Sequence, residues 1–381
     1  MEHQGFREPS KPRRKTGARL MIALATVAAC GLVAELGLRA AGRLPSNTTE
    51  GFFDQHGRSY RLKKNLTKIV KIPSYSFTLY TNGYGFRDEK TGPREIGPDP
   101  YVVFLGDSMT FANGVDYGQS FVGVFAGLAA KDGTGVLNMA VGGHHLQEQR
   151  DVFREFVETA DRPPAKVVIC FSPISIHGFD ASFSDVLVKR GYLFPRRGWR
   201  LAYLRVLLGD SSSFYCYVRD NVRKIQAGLS NNRLLYAQAH LAYYRRDNAL
   251  ADAATVARFD AELAAFDDYL RGLGSAPVYV YLPASPDLKI KDFLAQTGED
   301  PGRYDFEMLY RPLEAHCRAR GIPLIDLRSL LKERYDAGDS LNFMLDAHYN
   351  PHANEIIGRA LYQALAGRTE GLPSGDVSAS R

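Results

Sequence analysis

The stretch Val102-Val103-Phe104-Leu105-Gly106-Asp107-Ser108-Met109-Thr110 decides the fold, because four apolar, β-prone residues run directly into a short acidic-hydroxyl turn. Such a run is a buried strand that ends by presenting one serine. Ser120 to Ala130 follows, with Phe121, Val124, Phe125 and Leu128 at helical spacing, so Ser108 lies at a strand-to-helix passage. In an open parallel sheet, ligands bind at the carboxyl ends of the strands, where loops and helix N-termini bring unpaired N–H groups together. Ser108 is therefore the candidate nucleophile.

Working outward, Gly135 to Met139, Lys166 to Phe171, Pro277 to Leu282 and Ile322 to Leu327 have the pattern of four further strands, with helix-like segments such as Tyr310 to Arg320 between them. Five strands alternating with helices predict an α/β fold, a parallel doubly wound sheet with right-handed crossovers. Residues 180 to 270 interrupt the alternation. Tyr192 to Leu208 is mixed, while Phe214 to Leu229 and Thr255 to Leu273 are helix-like, so this region is expected to be a helical insertion. Upstream, Ser76 to Tyr80 alternates as a short strand, and Asn82-Gly83-Tyr84-Gly85-Phe86-Arg87-Asp88 opens with a turn signal and caps the main domain. The domain is expected over residues 76–366, with a disordered Gly-, Ser- and Pro-rich tail over 367–381.

Residues 1–19 are polar and basic, and an apolar run from Leu20 to Leu38 follows that is long enough to span a bilayer. Glu35, the one ionisable residue in it, lies near the far end, where a carboxylate can reach the interface. Arg7, Lys11, Arg13, Arg14, Lys15 and Arg19 before the run outnumber Arg39 and Arg43 just after it, which keeps the N-terminus in the cytoplasm and exports the rest. A single-pass protein of a bacterial inner membrane is expected, its main domain periplasmic or otherwise extracytoplasmic. A cleaved signal peptide and lipid attachment at Cys30, in Val27-Ala28-Ala29-Cys30, are the alternatives. Gly31 to Leu38 stays apolar past both cleavage points and favours an uncleaved anchor. Residues 39–75, with Arg58, Arg61, Lys63, Lys64, Lys68 and Lys71, have the composition of a solvated stalk near lipid phosphates.

A hydrophobic content of 45% excludes a disordered chain, and the formal charge of +6 is concentrated before residue 72, away from any recognition helix. No nucleic-acid partner is expected. Cys30, Cys170, Cys216 and Cys317 show neither close pairing nor zinc-type spacing.

Near the C-terminus stands Leu345-Asp346-Ala347-His348-Tyr349-Asn350-Pro351-His352, before a helix-like Glu355 to Leu365. Asn350 suits an N-cap and Pro351 the first helical position. In an extended segment Asp346 and His348 point to one side. The carboxylate can then accept the Nδ1 proton of the imidazole and leave Nε2 free to take a proton from a hydroxyl, the base Ser108 needs. A metal site from Asp346, His348 and His352 is the competing chemistry, weakened because Pro351 separates the two histidines between loop and helix. The remaining reading makes Asp346 a turn residue and His348 a capping or core histidine.

Gly106-Asp107-Ser108, the Asn138 to Gly143 turn and Asp346-Ala347-His348 before a final helix together resemble the SGNH/GDSL hydrolase superfamily. The segment Asn82 to Arg87 is similar to that preceding the serine block in membrane-anchored bacterial members. The resemblance spans roughly residues 76–366 and implies a flavodoxin-like three-layer α/β/α sandwich acting on esters, often acyl groups on carbohydrates or lipids. It implies Ser108 as nucleophile, His348 as base and then acid, Asp346 as orienting carboxylate, and the backbone N–H groups of Ser108 and Gly143 as oxyanion donors. No metal or organic cofactor is implied. The chain departs from the family at the third block, where Phe171-Ser172-Pro173-Ile174-Ser175-Ile176-His177 lacks the asparagine that completes the oxyanion hole. Ser175 and His177 are the candidate substitutes, and His144 and His145 lie beside the glycine turn. The expected function is an exported, membrane-anchored serine esterase or O-acyltransferase. The alternative is a catalytically weak or inactive glycan-binding component of an envelope polysaccharide assembly.

Overall fold

A computed structural model describes residues 14–45, 51–72, 75–92, 96, 100–179, 186–229, 232–248, 252–344 and 346–366. The basic tail before residue 14 and the tail from residue 367 lie outside the described residues. The chain divides into two units, one of Met1–Thr49 with Arg200–Ser230 and one of Glu50–Trp199 with Asn231–Arg381.

Among the described residues the larger unit carries twelve strands. They are β1 (Phe53–His56), β2 (Ser59–Leu62), β3 (Thr67–Ile72), β4 (Tyr75–Thr81), β5 (Arg87–Asp88), β6 (Tyr101–Leu105), β7 (Gly135–Asn138), β8 (Lys166–Phe171), β9 (Val186–Lys189), β10 (Tyr192–Pro195), β11 (Ala276–Tyr281) and β12 (Leu324–Asp326). The main sheet runs β12-β11-β8-β6-β7-β5-β4-β3. From β12 to β7 every pairing is parallel, and these are the five strands expected from the sequence. Their spatial order is that of a flavodoxin-like sheet, in which the chain turns back at a switch point between the first and third parallel strands. Those strands are β6 and β8, so the switch point lies where Ser108 and Ser172 follow their strands.

Side chains along each strand alternate between two cores, as strand geometry requires. Val103, Leu105, Val167, Ile169 and Tyr279 pack on one face with Phe153, Phe266 and Leu313. Val102, Phe104, Val168, Cys170 and Val280 pack on the other with Phe121, Phe125 and Ile357. Both faces are covered, which makes the central strands continuous apolar runs.

The sheet is larger and more mixed than the five-stranded parallel one expected. Three antiparallel strands, β5, β4 and β3, extend it beyond β7, joined through Arg87 opposite Asn138. Within the expected stalk, β1, β2 and β3 are strands of this unit. Phe52, Phe53, Tyr60, Leu62 and Val70 are buried with Phe77, Leu79 and Phe111, while Lys63 and Lys64 lie in the loop between β2 and β3 and Lys68 lays its ammonium over the Phe52 and Tyr192 rings. Lysine on an edge strand such as β3 discourages pairing with another sheet, so its presence did not argue against a strand.

Part of the expected insertion also belongs to this unit, as the β9–β10 hairpin and the helices Asn232–Leu241 and Ala253–Gly272. The smaller unit contains the helices Arg14–Ala40 and Ser213–Leu229 and nearly all of Trp199–Ser211. Among the described residues one helix, Gly17–Ala40, is long and apolar enough to cross a membrane.

Candidate active site

All five residues of β6 are buried, and the strand ends at a glycine because nothing larger fits. A Cβ on Gly106 would stand 2.1 Å from Thr110 Oγ1. Asp107 then caps the short helix Ser108–Phe111, its Oδ1 accepting from the backbone N–H of Met109 at 2.8 Å. Its Oδ2 accepts from Ser172 Oγ at 2.6 Å, which ties the end of β6 to the end of β8 across the switch point. Within residues 101–112 every side chain but one is buried, and the exception is Ser108.

The turn after Ser108 is held by an ion. Arg87, fully buried, donates to the backbone oxygens of Phe111, Ala112 and Val115, the contact with Ala112 being 2.7 Å. Ala112 adopts the left-handed conformation at φ 60°, and the N–H of Asn113 returns to Ser108 O at 3.2 Å. The half-buried Asn113 is thereby brought beside the serine. Arg87 is presented by the segment Asn82 to Asp88, where Asn82 Oδ1 accepts from the N–H groups of Tyr84 and Phe86.

The glycine turn follows β7. Asn138 Nδ2 donates to Thr110 O and its Oδ1 accepts from Ala140 N, which fixes this turn against the serine helix. A Cβ on Gly142 would lie 3.6 Å from Ser108 Cβ and 4.0 Å from Asn113 Nδ2, so Gly142 leaves open the space these groups share. Gly143 has φ +82°, a conformation that favours glycine.

Asp346 and His348 are in direct contact, with His348 Nδ1 2.5 Å from Asp346 Oδ1. The same oxygen accepts the backbone N–H of His348 at 2.9 Å. Burial raises the Asp346 pKa, but the His348 imidazole, that N–H and the Tyr75 hydroxyl outweigh it and hold the carboxyl below its usual range. Asn350 caps the helix Pro351–Leu365 through Ala353 N, as the sequence predicts. Phe343 N donates to His348 O, and the Phe343 ring packs so closely on Gly114 that a Cβ there would approach Phe343 Cε2 to 2.5 Å. The turn carrying Ser108 and Asn113 thus abuts the loop carrying Asp346 and His348.

The other candidates are committed elsewhere. Ser175 is buried, and its hydroxyl donates to Ser172 O at 2.9 Å while accepting from Ser172 N at 2.8 Å, inside a capping box of the helix Pro173–His177. His177 pairs with the Asn248 side chain. His144 is buried with its Nε2 2.9 Å from Tyr60 O, and burial drives its pKa down to about 3. His145 caps the helix Leu146–Thr159, its backbone N–H donating to Glu148 Oε2. His352 reaches Asp339 at 3.1 Å, away from the Asp346–His348 pair.

Sequence reasoning missed Asn113, Arg87, Tyr75 and the pair Tyr236 and His240, whose ring centroids are 4.1 Å apart and which both feel the charge of Asp346. Arg87 carried a signal, as a charged residue inside a short motif. Asn113 carried only its position five residues after the serine.

No protein-family model matches the chain, and no curated protein matches it. Among solved structures it is similar to that of TesA, at 14% identity and TM-score 0.38 over 70% of this chain and 99% of the other. It is similar to the acetylxylan esterase Axe2 from Geobacillus stearothermophilus, at 13% identity and TM-score 0.40 over 71% of this chain and 95% of the other. A third is a member of the lipolytic G-D-S-L family from Veillonella parvula, at 14% identity and TM-score 0.37 over 71% and 98%. At this level the likeness bears on neither activity nor site residues.

Proposed function

We propose that the chain is an exported, membrane-anchored serine esterase or O-acyltransferase that acts on O-acyl groups of carbohydrate or lipid. The observation that carries this reading is the 2.5 Å contact between His348 Nδ1 and Asp346 Oδ1, in a loop packed against the Ser108 turn. With Nδ1–H donated to the carboxylate, Nε2 takes the Ser108 hydroxyl proton as Oγ attacks the ester carbonyl. The tetrahedral intermediate puts its negative oxygen toward the N–H groups of Ser108 and Gly143 and the Asn113 side-chain amide. His348 then gives its proton to the leaving alkoxide, and an acyl-serine remains. Water or a sugar hydroxyl resolves it, which is the only difference between hydrolase and transferase. The sequence resemblance supports the substrate class.

Asn113 enters this scheme because the third block offers no carboxamide and the Ser175 hydroxyl is engaged with Ser172. That same engagement favours a second reading, a catalytically weak or inactive glycan-binding component of an envelope polysaccharide assembly. Ester turnover by Ser108→Ala, His348→Ala and the double variant separates the two. A shared mechanism predicts that the double variant is about as slow as either single one, because the residues act as a unit. Wild-type turnover no faster than that of Ser108→Ala favours the binding protein.

A further inference from the structure

We propose that the helices Trp199–Ser211 and Ser213–Leu229 lie in the membrane–water interface beside the N-terminal span, their apolar stripes covered by lipid acyl chains. The inference rests on the reading that Gly17–Ala40 crosses the membrane.

Each helix exposes a regular apolar stripe. On the first, Leu201, Leu204 and Leu208 are exposed at i, i+3 and i+7, and on the second Phe214, Val218, Val222 and Ile225 are exposed at i, i+4, i+8 and i+11. Amphipathic helices normally turn such a stripe onto a core. Here the inner positions are already filled by Val206 and Cys216, whose Sγ donates to Gly209 O. Single exposed apolar residues need no explanation, but a contiguous stripe does.

The position of the second helix identifies what covers it. Glu35 lies five residues before the end of the N-terminal helix, and its carboxylate accepts the backbone N–H of Ser213 at 3.0 Å and of Phe214 at 2.9 Å. Arg39 Nη2 donates to Ser211 O at 2.7 Å, and the Arg43 guanidinium stands over the Tyr217 ring at 5.5 Å. The junction of the two helices is therefore pinned to the last turns of a 24-residue apolar helix. That helix is about 36 Å long against a hydrocarbon core of about 30 Å, so its last turns lie where acyl chains meet headgroups. Leu36, next to Glu35, is itself 59% exposed and faces the same medium. Residues 199–229 contain Arg200, Arg205, Arg219, Arg223 and Lys224 against Asp210 and Asp220, an excess that anionic headgroups attract.

The test uses the full chain in phosphatidylcholine–phosphatidylglycerol vesicles with acyl chains brominated near the headgroup or near the chain end. Trp199 is the only tryptophan, so Trp199→Phe gives a silent background into which Val27→Trp, Val218→Trp, Val222→Trp or Asp220→Trp is placed singly. The proposal predicts loss of most fluorescence from Val218→Trp and Val222→Trp with shallow bromine, little loss from Asp220→Trp, and loss from Val27→Trp with deep bromine. Phe214→Trp, an aromatic exchange, gives the same reading if a valine variant fails to fold. Quenching at position 27 without quenching at 214, 218 or 222 leaves the span intact and overturns the interfacial placement. Absence of quenching at position 27 removes the span reading itself, and this inference with it.

Discussion

Arg87 donates to the backbone oxygen of Ala112 at 2.7 Å, from inside the sheet extension to the turn behind Ser108. Together with its contacts to Phe111 and Val115, this makes one buried guanidinium the partner of three carbonyls that the tight turn leaves unpaired. Arg87→Ala removes all three partners at once and is predicted to cost about 3–5 kcal/mol in denaturant unfolding. Arg87→Lys keeps the charge but loses the planar fork and should fall between the two. A wild-type unfolding midpoint for Arg87→Ala would contradict this role.

Asn113 is predicted to be the third oxyanion donor. Asn113→Ala should lower kcat by about two to three orders of magnitude with little change in KM, the signature of an interaction made only in the transition state. Ser175→Ala should leave kcat nearly unchanged and lower stability by about 1 kcal/mol, because it breaks a helix cap. Steady-state kinetics on the two variants check the kcat statements and denaturant unfolding of Ser175→Ala checks the stability loss; the opposite kinetic pattern would move the donor to Ser175.

The five parallel strands and the cap at Asn350 were legible because apolar runs and turn chemistry are local signals. The pairing of Asp346 with His348 was legible from their spacing, but they meet through a bend at Ala347 and His348, where Asp346 Oδ1 also accepts the His348 N–H, and not through the extended segment expected. Residues 53–72 were not legible, since the buried faces of Phe53, Tyr60 and Leu62 acquire partners only when β4 and the Phe111 turn close over them. β5 is two residues long and exists through pairing with Thr81 and Asn138, which lie distant in sequence or in another element. Asn113 could not be recognised from composition, because its approach to Ser108 depends on the left-handed Ala112 and the Arg87 clamp.

Burial raises the Asp287 carboxyl to a pKa of about 7, although its Oδ2 accepts from Ala284 N at 2.7 Å. A carboxyl raised in the folded state binds its proton more tightly there than in the unfolded chain. Its contribution to stability is thus full below the unfolded pKa and is lost as pH rises through about 7. The slope from this one group is at most about 1.4 kcal/mol per pH unit. His144, held neutral with a pKa of about 3, acts with the opposite sign, since stability rises as pH climbs from there through the ordinary histidine value. Asp287→Asn should remove only the first component, so the wild-type-minus-variant difference in unfolding free energy should fall between about pH 4 and 7. A difference independent of pH would exclude a proton on Asp287.

The apolar helix Gly17–Ala40, preceded by a basic cluster, predicts that a reporter active only outside the cytoplasm is active when fused after residue 366. Mass measurement of the purified chain separates an intact anchor from cleavage before Cys30. A reporter active only in the cytoplasmic form would reverse the topology.

The most direct test of the central claim is covalent labelling by a fluorophosphonate probe, with the modified residue located by mass spectrometry. An activated Ser108 predicts adduct formation at that residue in the wild type, no labelling of Ser108→Ala, and strongly slowed labelling of His348→Ala. An unlabelled wild-type chain, or an adduct that persists in Ser108→Ala, would contradict it.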